Sequence, residues 1–173
     1  MVVHPKFEVP FERNGIKSPG LPILPHGTER HPVPGGGSRA VPIFKGDEFS
    51  VLDREGLQAA ELVFFAPDGT SDGGMIGASG NGMPSSTIDV LSRGGPSGQR
   101  VLRALDAAGF DLSRGDAVRA LGESNAGDMA DFSAACDGLL IVASVGELMS
   151  PEAQNPPTEL ILYIRRANPG LAK

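Results

Sequence analysis

A carboxylate set inside an apolar run is the first residue whose type and placement could do chemistry. Glu61 follows Ala59 and Ala60 and precedes Leu62, Val63, Phe64 and Phe65, so either pleat face of an extended segment sets it beside apolar neighbours. Burying an unpaired carboxylate costs several kcal/mol or forces its protonation. The common outcome is a carboxylate at a sheet edge, or one paired with an arginine. The sharper one is a pocket-lining acid that orients a cationic or amide-bearing ligand.

The other reactive residue types are scattered. Cys136, the single cysteine, sits just before an apolar run, and the three histidines His4, His26 and His31 are far from it in sequence. A catalytic thiol needs a nearby base or a positive field, so Cys136 reads as an inert, partly buried thiol. His26, Glu29 and His31 do not complete a recognised metal spacing, and no metal is expected. The glycine-rich stretch Asp68 to Gly82 lacks the lysine of a phosphate loop. It reads as a crossing loop, or a lid with Met75, Ile76 and Met83 to pack beneath it. A helix start near Gly98, with Arg93 and Arg100 close by, could attract an anion, as any helix start can.

The elements that must position these residues centre on residues 39–67. Two β-branched or aromatic runs, Val41 to Ile43 and Phe49 to Leu52, flank the turn Lys45-Gly46-Asp47-Glu48. A second turn, Asp53-Arg54-Glu55-Gly56, leads to Leu57 to Ala66, which reads as a strand buried on both faces. The three strands are expected to form a meander. Thr87 to Leu91 reads as a fourth strand. A helix capped by Ser97 and ended by Gly109 follows, then a second short helix with the capping pair Ser113 and Asp116 and apolar Val118 and Leu121. Strands are expected again at Met129 to Phe132, Gly138 to Val145 and Thr158 to Arg166, with a long irregular loop over Gly146 to Pro157.

The fold class expected is therefore α+β and mainly β: a barrel- or sandwich-like antiparallel sheet with two short helices and a long Pro/Gly-rich N-terminal arm. Residues 1–38 are the arm, 39–166 a single β-rich domain and 167–173 a tail. Phe7, Val9, Phe11, Ile16, Leu21, Ile23 and Leu24 make the arm too apolar for a solvated linker, so it is expected to dock on a homo-oligomer partner or a larger enzyme subunit. A net charge of −6, a single tyrosine and no tryptophan argue against nucleic acid. One cysteine and no long apolar run fit a reducing compartment without a membrane span, and the cytoplasm is the expected location.

The order of features, GDEFSVLDREGLQAAELVFFAPDG followed by Cys136-Asp137 and GLLIVASVGELMSPEAQNPPTELILYI, resembles the urea carboxylase-associated domain family. The chain looks like a divergent, shortened member, of the type associated with folate-dependent aminomethyltransferase-like proteins. By that resemblance Asp53, Gln58 and Glu61 match the polar positions of the first block and Asn155 matches a loop asparagine, making these four the ligand-site candidates. Enzyme members carry a Cys/His-rich middle segment; here it is GASGNGMPSSTIDVLSRGG, without Cys or His. The resemblance thus implies a non-catalytic accessory or small-molecule-binding domain, taking a small amine or amide and associated with a C1- or nitrogen-metabolising enzyme. No cofactor is expected, except tetrahydrofolate through a partner. One alternative is a C–N hydrolase or deiminase acting on a guanidino or urea-like compound with Glu61 as general base. Another is a purely structural interaction module.

Overall fold

The structure is a computed structural model that describes residues 24–78, 87–145 and 156–171. Eight strands form two four-stranded antiparallel sheets. They are β1 (Thr28–Val33), β2 (Ser38–Ile43), β3 (Glu48–Asp53), β4 (Ala60–Phe65), β5 (Ala117–Ala120), β6 (Met129–Ser133), β7 (Gly138–Ser144) and β8 (Leu160–Arg165). Sheet A has the order β1-β8-β3-β6 and sheet B the order β2-β7-β4-β5. Two helices, α1 (Thr87–Arg93) and α2 (Gly95–Ala107), lie outside sheet B. The fold is the expected mainly β, α+β class as a sandwich; the two sheets do not close into a barrel.

Alternation within the strands explains the layering. Phe49, Val51, Leu162 and Ile164 of sheet A meet Ala60, Leu62, Phe64, Leu140 and Val142 of sheet B in the central core. The other face of sheet B presents Val63, Phe65, Ala117 and Ile141 to Leu91, Leu105 and Leu112. All six residues of β4 are buried because both its faces are covered, and β7 is covered in the same way over most of its length. The outer face of sheet A has no helical cover among the described residues, and β3 and β6 alternate accordingly.

The expected meander is corrected. β2, β3 and β4 do not pair with one another: β2 and β4 flank β7, whereas β3 runs between β8 and β6 in the opposite sheet. Each turn between them crosses the sandwich instead of closing a hairpin. Thr28–Val33, within the stretch expected as an arm, is the edge strand β1 paired with β8. Residues 1–23 lie outside the described residues.

Two further expectations exchange places. The segment from Thr87, expected as a strand, is helix α1, and its buried residues Thr87, Val90 and Leu91 have the spacing of one helical face. The expected second helix is a 3₁₀ turn, Leu112–Arg114, opened by Asp111, whose carboxylate accepts from the Ser113 amide, and followed by strand β5. β5 exists because β4 would otherwise leave a buried edge, and Ala117 to Ala120 close it. Helix α2 starts two residues before Ser97, with Gly94 at the cap, and Gly109 ends it at φ +85°. In the described part of the glycine-rich stretch, Asp72 caps the 3₁₀ turn Gly73–Ile76, and Ile76 lies in the central core.

Candidate functional site

Asp53 and Gln58 are brought together. Asp53 ends β3, fully buried, and its Oδ1 accepts from the amides of Glu55 and Gly56 at 3.1 and 2.9 Å. Its Oδ2 accepts from the Gln58 amide at 2.9 Å and the Ser124 hydroxyl at 2.6 Å. Burial alone would push the Asp53 carboxyl up, but these donors together hold it below its ordinary value. The Gln58 side chain donates to the carbonyls of Ala59 and Val145 and accepts from the Thr158 amide, tying the β3–β4 crossover to β7 and the approach to β8. The Gln58 polar atoms are engaged by backbone alone, and those of Asp53 by three backbone amides and the Ser124 hydroxyl.

Glu61 lies on the face of β4 that looks toward the helices, opposite Arg119 across the β4–β5 pair. It is 5% exposed. Its Oε1 accepts from the Thr87 amide at 2.8 Å and the Thr87 hydroxyl at 2.7 Å, so it anchors the start of α1. These two hydrogen bonds lead toward α1. Asn155 lies outside the described residues.

A buried ionic cluster was not legible in the sequence. Arg166, just past β8, donates through Nε and Nη2 to both oxygens of Glu29 at 2.8 and 2.9 Å, and through Nη1 to Asp47 at 2.7 Å and the Pro42 carbonyl at 2.9 Å. The Phe44 ring lies 5.4 Å from the guanidinium carbon. Asp47 also accepts from the Phe44 and Ala167 amides, and Glu29 from the His31 ring. The Arg166 hydrogen bonds pull the Glu29 carboxyl below its ordinary value, against burial and with help from His31. Burial opposes the Arg166 charge, yet Glu29 and Asp47 hold its pKa above the usual one. This cluster joins β1, the β2–β3 turn and β8. It is well satisfied, which marks it as a clamp on the sandwich.

The open chemistry lies on the outer face of sheet A. Register aligns two polar rows across its four strands: Thr28, Arg165, Glu48 and Ser133, and beside it Arg30, Tyr163, Ser50 and Asp131. A groove of about 870 Å³ runs over them, its lining including Tyr163, Asp131, Ser50, Arg165 and Met129. The Ser50 hydroxyl donates to Asp131 at 2.6 Å, and Glu48 pairs with Arg165. These residues were missed because each strand shows only one or two of them; the row exists only once the register is known. The alternation Glu48-Phe49-Ser50 was the available signal.

Elsewhere among the described residues the His, Cys, Asp and Glu side chains form no metal-holding group. Cys136 is half-buried against the central core, and His26 is exposed. No helix among the described residues is long and apolar enough to cross a membrane.

No family model matches the chain. It is 35% identical over 159 residues, 91% of its length, to a trimethylamine-oxide aldolase of Ruegeria pomeroyi (strain ATCC 700808 / DSM 15171 / DSS-3), and spans 20% of that protein's length. A crystal structure of a DUF1989 family protein from Silicibacter pomeroyi is similar over 96% of this chain and 94% of that one, at 15% identity and a TM-score of 0.49, below the level that establishes a shared fold. These comparisons do not confirm the urea carboxylase-associated resemblance. They also correct the expected function. A non-catalytic accessory or purely structural domain conflicts with a 35% identical relative that is an enzyme. That relative is named as an aldolase, so the comparisons support neither the deiminase alternative nor an aminomethyltransferase association.

Proposed function

We propose that this chain forms part of a lyase that cleaves a small tertiary amine oxide to a secondary amine and an aldehyde. The observation that carries this is the 35% identity to a trimethylamine-oxide aldolase along nearly the whole chain. Trimethylamine oxide contains the same atoms as dimethylamine plus formaldehyde, so the cleavage needs no external oxidant or reductant. A methyl proton leaves to a base while the N–O electrons depart with the oxygen, which is protonated and released as water. Water then adds to the iminium carbon, and the carbinolamine collapses to formaldehyde and dimethylamine. Such chemistry calls for a carboxylate or similar base near the methyl groups and a donor at the oxygen. In this reading Asp53, Gln58, Glu61 and the Arg166 cluster hold the sandwich rigid, and the sheet A face meets the substrate.

Because the chain corresponds to a fifth of its relative, the test is a domain exchange. The matching segment of the Ruegeria pomeroyi enzyme is replaced by this chain, and trimethylamine oxide is supplied. Equal amounts of dimethylamine and formaldehyde are expected. A chimera that melts at the parent's temperature yet releases neither product overturns the proposal.

A further inference from the structure

We infer that the groove on the outer face of sheet A reads the charge pair of a tertiary amine oxide, with Tyr163 and Asp131 taking the alkylammonium end and Arg165 the oxide. This rests on the amine-oxide lyase reading and names the binding site within it. An amine oxide is neutral overall but carries opposite charges one bond apart. A receptor must therefore set a carboxylate or π-face and a cationic donor a few ångströms from each other. Sheet A does this by register. Tyr163 and Arg165 lie two residues apart on β8, so they point to the same face about 7 Å apart along the strand. Asp131 lies in the Tyr163 row, and Glu48 in the Arg165 row.

Both charged groups are held in place. Ser50 occupies one oxygen of Asp131 and so fixes the carboxylate. Glu48 pairs with one end of the Arg165 guanidinium, which has five N–H donors and keeps others for a ligand. An aromatic face attracts an alkylated ammonium through its quadrupole, and Tyr163 is the only tyrosine in the chain. The groove, at about 870 Å³, is far larger than trimethylamine oxide. The ligand class is accordingly tertiary amine oxides, with N-substituents larger than methyl admitted.

The absence of tryptophan makes Tyr163 the reporter of its own site. Tyrosine emission of the full chain is titrated with trimethylamine oxide and, in parallel, with tert-butyl alcohol, which has a similar shape without the charge pair. A saturable change with the oxide is expected, and at least tenfold weaker binding of the alcohol. Asp131→Asn and Arg165→Gln are each expected to weaken oxide binding about tenfold with unchanged melting temperature. Both positions are exposed, so if one variant fails to fold the other still decides. No saturable change, equal binding of the alcohol, or unaltered affinity in a folded variant overturns the inference. Turnover by the chimera without binding in the groove would sink this site and leave the lyase reading standing; binding without turnover would do the reverse.

Discussion

Asp53 carries a pH dependence whose sign is fixed by its surroundings. Four donors hold the carboxyl below its ordinary value in the folded chain. A depressed carboxyl stabilises the fold above the unfolded value, near pH 4, and that contribution disappears as pH falls through the lower folded value. Glu29, depressed by Arg166, acts in the same direction. Thermal melting followed from neutral pH downward should show stability falling below about pH 4. Asp53→Asn should flatten that fall and lower stability at pH 7 by about 1–3 kcal/mol, because its amide would face the Gln58 amide with donor against donor. Arg166→Met should cost about 3–5 kcal/mol in urea unfolding, since it strands the carboxylate of Asp47, which is 1% exposed. Adding Asp47→Asn to that variant should recover part of the loss; no recovery would mean that Arg166 acts through packing alone.

At the scale of elements, the close approach of the two helices gives the sharpest prediction. A Cβ at Gly98 would fall 1.8 Å from the Leu91 carbonyl oxygen, so α1 and α2 meet only because position 98 is bare. Gly98→Ala gains about 1 kcal/mol of helix propensity. The collision with backbone should outweigh it and leave a net loss of about 1–3 kcal/mol by urea unfolding. The same region shows where the sequence was readable. Gly138–Ser144 and Leu160–Arg165 announce themselves as strands because both are apolar over most of their length. Thr87–Arg93 does not, because Ile88, Val90 and Leu91 in so short a segment fit either period, and its Glu61 anchor and its seat on sheet B choose the helix. Ala117–Ala120 is too short to carry a pattern at all; its conformation comes from the neighbouring β4. Pairing within each sheet, which defeats the meander reading, depends on partners about a hundred residues away and leaves no local mark.

For the whole molecule, the core was legible and the site was not. Glu61 stands out in the sequence as an acid among apolar residues, and the fold uses it to seat a helix. The groove residues Tyr163, Asp131 and Arg165 come from two strands far apart in sequence and look like ordinary surface positions until register aligns them. Among the described residues, one face of the sandwich is covered by helices and the outer face of sheet A is not. Amine-oxide cleavage by this chain is read by following trimethylamine oxide labelled with carbon-13 in its methyl groups. With the chimera described above, NMR should show label leaving the oxide and appearing in hydrated formaldehyde and dimethylamine in a carbon ratio of about one to two, as the atom balance of the lyase reaction requires. Label that stays in the oxide, or collects in trimethylamine, would contradict it.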